Sequence, residues 1–138
     1  MPDAAGFTEQ VSALAGAGWP VDSRTLTRAL YSSDASLYRV PPAAVSRPAS
    51  VPELVEVVDA ARAAGLPVTT RGAGTSIAGN AVGTGLILDS TRLSRIAHLD
   101  PITKAAIVEP GVIPARLTAA AARHGLRFGP DPSTSDRC

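Results

Sequence analysis

The chain has 138 residues and a mass of 14.0 kDa, a common size for one domain, so a single hydrophobic core is expected and two full domains have little room. Hydrophobic residues make up 45% and charged residues 18%, with a mean hydropathy of +0.14, which excludes a chain too polar to collapse. Thirteen basic against twelve acidic residues leave a formal charge of +1, too little excess cation to grip nucleic acid or an anionic bilayer. The single cysteine cannot form an internal disulfide, and MPDAAGFTEQ carries acidic residues where a secretory leader would carry Lys or Arg; a cytoplasmic chain is expected. Pro, Gly or a charge interrupts every apolar stretch, so no integral membrane segment is expected.

The first forty residues read as a helical lead-in. Phe7, Val11 and Leu14 recur at helical spacing, Trp19-Pro20 interrupts them, and Ser23 to Leu30 offers a second short helix. Pro41, Pro42 and Pro48 then forbid helix and favour an extended edge strand or linker ending at Ser50, which puts a boundary near residue 40. Ser50 and Glu53 stand in capping-box relation and Gly65 supplies a stop, predicting a helix over 51–64 with Leu54, Val57, Val58 and Ala61 on its apolar face. Strands are predicted at Val68–Thr70 and Leu86–Leu88. A hairpin of Ile96–Leu99 with Ala105–Val108, turning through Asp100-Pro101, is expected to add antiparallel members to the sheet. Pro114 opens a helix whose Leu117, Ala120 and Ala121 face the core, Gly125 closes it, and Leu126–Phe128 reads as another short strand. Two units of one design follow: helix, glycine stop, leucine, strand and a loop of small residues. Their loops, RGAGTS and GPDPSTS, could meet over one ligand. The stretch at Cys138 is turn-like with no closing helix or strand, so an incomplete domain is expected; a frayed natural tail is the alternative.

The segment Arg71 to Asn80 carries the sharpest chemical signal. Gly72, Gly74 and Gly79 allow backbone angles that aim successive N–H groups into one concavity, Thr75 and Ser76 add hydroxyls, and Arg71 adds a charge. A hydrogen bond to a charged group contributes about 1.5 to 3 kcal/mol, so three or four donors suffice to hold a diphosphate without a metal. The loop is not a P-loop, because Asn80 and Ala81 follow Gly79 where Lys and Ser or Thr are required. It is not a dinucleotide fingerprint of the Rossmann type either, because Ile77 stands at a required glycine and the chain leads on to a strand. On these residues alone, a ligand-free glycine turn remains open.

RGAGTSIAGNAVGTGLILD, then VEPGV, then GLRFGPDPSTSDRC together resemble the FAD-binding domain of the vanillyl-alcohol oxidase/PCMH type. The branch is that of FAD-linked oxidases containing glycolate oxidase flavin subunits, D-lactate dehydrogenases and D-2-hydroxyglutarate dehydrogenases. The likeness runs from about Pro41 to the end. YSSDASLYRVPPAAV further resembles long members fused to an iron–sulfur half. A MurB-like reductase shares the fold, but DPSTSDRC favours the hydroxy-acid branch. The resemblance implies an α+β PCMH-type fold of two small α/β subdomains, truncated here, with residues 1–40 as lead-in and 41–138 as the FAD-binding domain. It implies that Arg71, Gly72, Ala73, Gly74, Thr75, Ser76, Gly79 and Asn80 surround the FAD diphosphate, while Pro132, Ser133 and Ser135 belong to a second loop nearer the ribityl chain and flavin ring. Pro110-Gly111 would form a turn beside the flavin. Relatives with covalent flavin carry a histidine in the first loop, where Ala73, Thr75 and Ser76 stand here, so non-covalent FAD is implied.

His98 and His124 lie in no cluster of ligand-type residues, Cys138 has no activating neighbours, and Tyr38-Arg39 reads as packing before substrate contact. The expectation is the FAD-binding part of an oxidoreductase acting on a small 2-hydroxy acid, with catalytic and metal-binding residues elsewhere and an iron–sulfur domain or subunit as electron acceptor. The alternative is a non-catalytic nucleotide- or anion-binding module complete at this length.

Overall fold

The computed structural model describes residues 4–138; Asp3, one of the acids weighed against a leader, lies outside them. A 3-10 turn, Ala4–Phe7, leads into α1 (Thr8–Gly16), followed by β1 (Val21–Asp22), α2 (Thr25–Leu30), β2 (Ala44–Ser46) and α3 (Val51–Ala63). Then come β3 (Val68–Arg71), β4 (Leu86–Asp89), β5 (Ile96–Asp100), β6 (Ala105–Val108) and α4 (Pro114–Ala122).

Four strands form a mixed sheet in the order β1-β2-β4-β3, with β2, β4 and β3 mutually parallel and β1 antiparallel at one edge. The proline-flanked segment is therefore no edge strand. All three residues of β2 are buried between β1 and β4, and Pro42 and Pro48 bracket the strand without interrupting its ladder. The edge falls instead to Val68–Arg71, where Thr69 and Thr70 tolerate water. The helix α3 follows its sequence pattern closely: the Ser50 hydroxyl accepts from the Glu53 amide at 3.3 Å, and the Glu53 carboxylate accepts from the Ala49 amide at 2.7 Å. Such a cap contributes about 1 kcal/mol. Val57 and Ala61 of α3 join Leu86 and Leu88 of β4 and Phe7, Val11 and Leu14 of the lead-in in one core.

The hairpin does form, but it does not join this sheet. β5 and β6 make a separate two-stranded sheet, bulged between Ile96 and His98, and Lys104 takes a left-handed φ of 56° in its turn. Leu126–Phe128 forms no strand, against expectation. After Gly125 (φ 69°) the Leu126 amide returns to the Ala121 carbonyl at 3.3 Å, closing α4, and no neighbouring strand offers a ladder. Ala121 is buried, whereas Leu117 and Ala120 are half-buried and Leu117 and Ala121 face an apolar hollow shared with β6 and Phe128.

Candidate functional site

The loop after β3 leaves the sheet at the carboxyl end of its parallel strands, where open parallel sheets bind their ligands. Gly74 and Gly79 take positive φ values of 71° and 77°; Gly72 does not. The two angles are needed for different neighbours. A Cβ on Gly74 would run into the Arg71 guanidinium, and one on Gly79 would stand 2.6 Å from the Tyr38 ring. Tyr38 thus packs on the loop. Within it the Ser76 hydroxyl accepts from the amides of Asn80 (3.1 Å) and Ala78 (3.4 Å), which closes the far side into a small turn.

Among the described residues, the amide N–H groups of Gly72, Ala73, Gly74, Thr75, Ser76 and Ile77 donate to no protein group. Most of this run lines two adjoining hollows. One, of about 430 Å³, is bounded by Gly72 to Ser76, Asn80 and Cys138. The other, of about 540 Å³, lies between Ala73 to Thr75 and the turn carrying Ser133, Thr134 and Arg137. A run of unsatisfied backbone donors beside open space suits an anion with many acceptor oxygens. The diphosphate of FAD meets that description, and the residues present fit it.

The segment just after α2 holds the loop in this shape. Arg71 donates through one Nη1 to the carbonyls of Ser33 (2.9 Å) and Ala81 (3.1 Å), and its guanidinium lies 5.1 Å from the centre of the Tyr31 ring. The Ala35 amide donates to the Gly74 carbonyl at 3.1 Å, and Asp34 accepts from the Ala81 amide at 3.3 Å. Hydrogen bonds from Ser36 above all, then from Ala81, together with the charge of Arg71, hold the Asp34 carboxyl below the usual carboxylate range. Tyr31 donates its hydroxyl to the buried Asp89 at the end of β4. Burial first, and then this bond to a carboxylate, push the Tyr31 phenol up to about 12. Asp89 also accepts from the Thr91 amide (2.9 Å) and hydroxyl (2.6 Å) and pairs with Arg47 at 3.3 Å.

The structure brings Arg71 to Ser76 and Asn80 together with Ser133. Pro132 does not line the hollows; its carbonyl accepts from the Ser135 amide at 2.9 Å, opening the turn that presents Ser133 and Thr134. The Ser135 carbonyl is taken by the Ala115 amide at 3.0 Å, which ties this turn to α4. Pro110-Gly111 sits apart, with the Gly111 amide bonded to the Leu93 carbonyl at 2.8 Å. His98 and His124 are exposed and line neither hollow. Tyr31, Ser33, Asp34 and Ala35 were not singled out by the sequence for a role at the loop, although YSSDAS carried part of the family resemblance. Among the described residues no group of three or more His, Cys, Asp or Glu is placed to hold a metal, and no helix is long and apolar enough to cross a membrane.

Comparison with known proteins agrees with this geometry. A family model described as an FAD binding domain matches residues 42–138. The glycolate oxidase subunit GlcD of Escherichia coli K12 is 33% identical over 105 residues, covering 75% of this chain and 21% of that protein. The D-2-hydroxyglutarate dehydrogenase of the same strain is 35% identical over 114 residues (80% and 11%). The D-lactate dehydrogenase of Archaeoglobus fulgidus is 34% identical over 90 residues (64% and 20%). The chain thus spans between 11% and 21% of the length of these relatives. Among solved structures, alkyldihydroxyacetonephosphate synthase superposes with a TM-score of 0.73 at 19% identity, covering 90% of this chain and 28% of that one. p-Cresol methylhydroxylase with substrate bound superposes at 0.67 and 22% identity, covering 88% and 25%. These two carry the PCMH-type fold to this chain. With the matched residues running from β2 through the glycine loop to the Ser133 turn, the chain belongs to the FAD-binding domain family, and FAD is its cofactor.

Proposed function

We propose that this chain is the FAD-binding part of a flavin-dependent oxidoreductase that oxidises a small 2-hydroxy acid to the 2-oxo acid. Residues 41–138 hold the cofactor and residues 1–40 support them. The observation that carries the reading is the run of undonated amides from Gly72 to Ile77, set across a hollow from Ser133 and Thr134. Its substrate class is supported by relatives named for glycolate, D-lactate and D-2-hydroxyglutarate, which share a hydroxyl on the carbon next to a carboxylate.

Bound FAD supplies the acceptor for a hydride leaving the substrate's α-carbon as the hydroxyl loses its proton. The chain's own contribution is binding and placement. Backbone N–H groups of residues 72–77 hold the diphosphate, Thr75, Ser133 and Thr134 offer hydroxyls beside it, and Arg71 with Asp34 keeps the loop in its binding shape before the cofactor arrives. The reading extends to non-covalent FAD, supported by Ala73, Thr75 and Ser76 in the first loop, where relatives with covalent flavin carry a histidine. It extends also to an iron–sulfur electron acceptor and a cytoplasmic setting, supported by the YSSDASLYRVPPAAV likeness and the single cysteine.

The test is to incubate the purified chain with FAD, desalt it, and record the visible spectrum and flavin fluorescence. Retained flavin with a shifted spectrum, freed into the supernatant on acid precipitation, is the expected result. A colourless desalted protein would refute cofactor binding, and flavin left in the acid pellet would refute the non-covalent assignment.

A further inference from the structure

Three charged side chains line the larger hollow beside the glycine loop: Asp34, Arg71 and Arg137. Two are already committed to holding the protein together. Asp34 accepts from the amides of Ser36 (2.9 Å) and Ala81 (3.3 Å), and Arg71 spends its Nη1 on two backbone carbonyls while its planar group stacks on Tyr31. A guanidinium fixed in this way cannot turn toward a ligand without releasing the loop that would bind it.

Arg137 is different. Its side chain is 74% exposed, and its ion pair is a loose contact of 3.7 Å with its sequence neighbour Asp136, itself equally exposed. Such a pair contributes little and is readily exchanged. The backbone around it is nevertheless well held. The amides of Arg137 and Cys138 both donate to the Thr134 carbonyl, at 2.8 and 2.9 Å, and Ser135 donates to Pro132 at 2.9 Å. These tight turns put Ser133, Thr134 and Arg137 on one wall of the hollow, with the undonated amides of Ala73 to Thr75 on the other.

We propose that Arg137, and not Arg71, is the cation that neutralises the dinucleotide's phosphates, reaching across from the second loop while Arg71 acts as a strut beneath the first. The assignment rests on FAD occupying this hollow. It explains how a loop without lysine, P-loop serine or metal can hold a doubly charged group: the amides supply directed donors and Arg137 supplies the charge. A guanidinium presents two parallel N–H groups to a phosphate, and a charge-assisted contact of this kind is worth about tenfold or more in affinity.

The experiment compares FAD dissociation constants of wild type, Arg137→Gln and Arg137→Lys by flavin fluorescence, at low ionic strength and in about 0.5 M salt, where the screening length falls to a few ångströms. Arg137→Gln is expected to weaken binding about tenfold or more at low salt, with the gap closing at high salt and with Arg137→Lys, which keeps the charge but not the paired donors, recovering part of the affinity. The side chain is 74% exposed and its ion pair with Asp136 is loose, so thermal melts of the variants should overlay that of wild type. Equal affinity of wild type and Arg137→Gln at low salt, or a loss unchanged by salt and unrescued by lysine, overturns the proposal and leaves the FAD assignment standing. Wild type that retains no FAD overturns both.

Discussion

At the scale of single residues, Gly74 separates two explanations of a glycine-rich loop. A glycine kept for close approach of phosphate would tolerate alanine until the ligand arrives, but Gly74 has a φ of 71° and a Cβ there would collide with Arg71 in the free protein. Gly74→Val is therefore expected to cost both stability and cofactor, with strain of about 1–3 kcal/mol lowering the melting temperature and FAD retention falling at least tenfold. Cys138→Ser, which lines the same site with a near-isosteric side chain, should leave both close to wild type; equal effects from the two substitutions would remove the loop from the site. Tyr31 gives a second residue-level expectation. Because its phenol is pushed up to about 12 against about 10 when unfolded, the neutral form is favoured in the folded protein. The resulting stability is complete below pH 10 and is lost as pH rises toward 12. In a Tyr38→Phe background the absorbance rise of phenolate should appear only near pH 12, and a midpoint near 10 would show that Tyr31 does not donate to Asp89.

At the scale of elements, local signals were legible and pairings between distant segments were not. The Ser50 cap, the stripe of Val57 and Ala61 and the β-branched run before Arg71 each depend on neighbours within a turn or two, and each appears as read. The position of β2 inside the sheet depends on β4, some forty residues later, and prolines around it masked a strand that is buried on every side. The same reason hid the supports of the site. Ser33, Asp34 and Tyr31 meet partners 38, 47 and 58 residues away, a separation that no local pattern announces, whereas the glycine loop announced itself through composition. Element burial also predicts an exchange pattern. Every residue of β4 is buried and every residue of β6 is exposed, so amide hydrogen exchange should be slowest in Leu86–Asp89 and orders of magnitude faster in Ala105–Val108. Comparable protection in both would mean that the hairpin is covered in solution.

At the scale of the whole molecule, one well-filled core lies between the mixed sheet and α1 with α3, while β5, β6 and α4 surround an apolar hollow of about 420 Å³ with Val108, Leu117 and Phe128 around it. The two loops that meet over the candidate site come from opposite sides of this divide: Arg71–Asn80 from the filled half and Ser133–Arg137 from the sparse one. The supports of the first loop come from still earlier in the chain. Tyr31, Ser33, Asp34 and Ala35 all precede residue 42, where the family likeness begins. Anyone excising the recognisable portion for expression would discard the buttress along with the lead-in helices, and would obtain a sheet whose cofactor loop has its sequence intact but nothing to lean on.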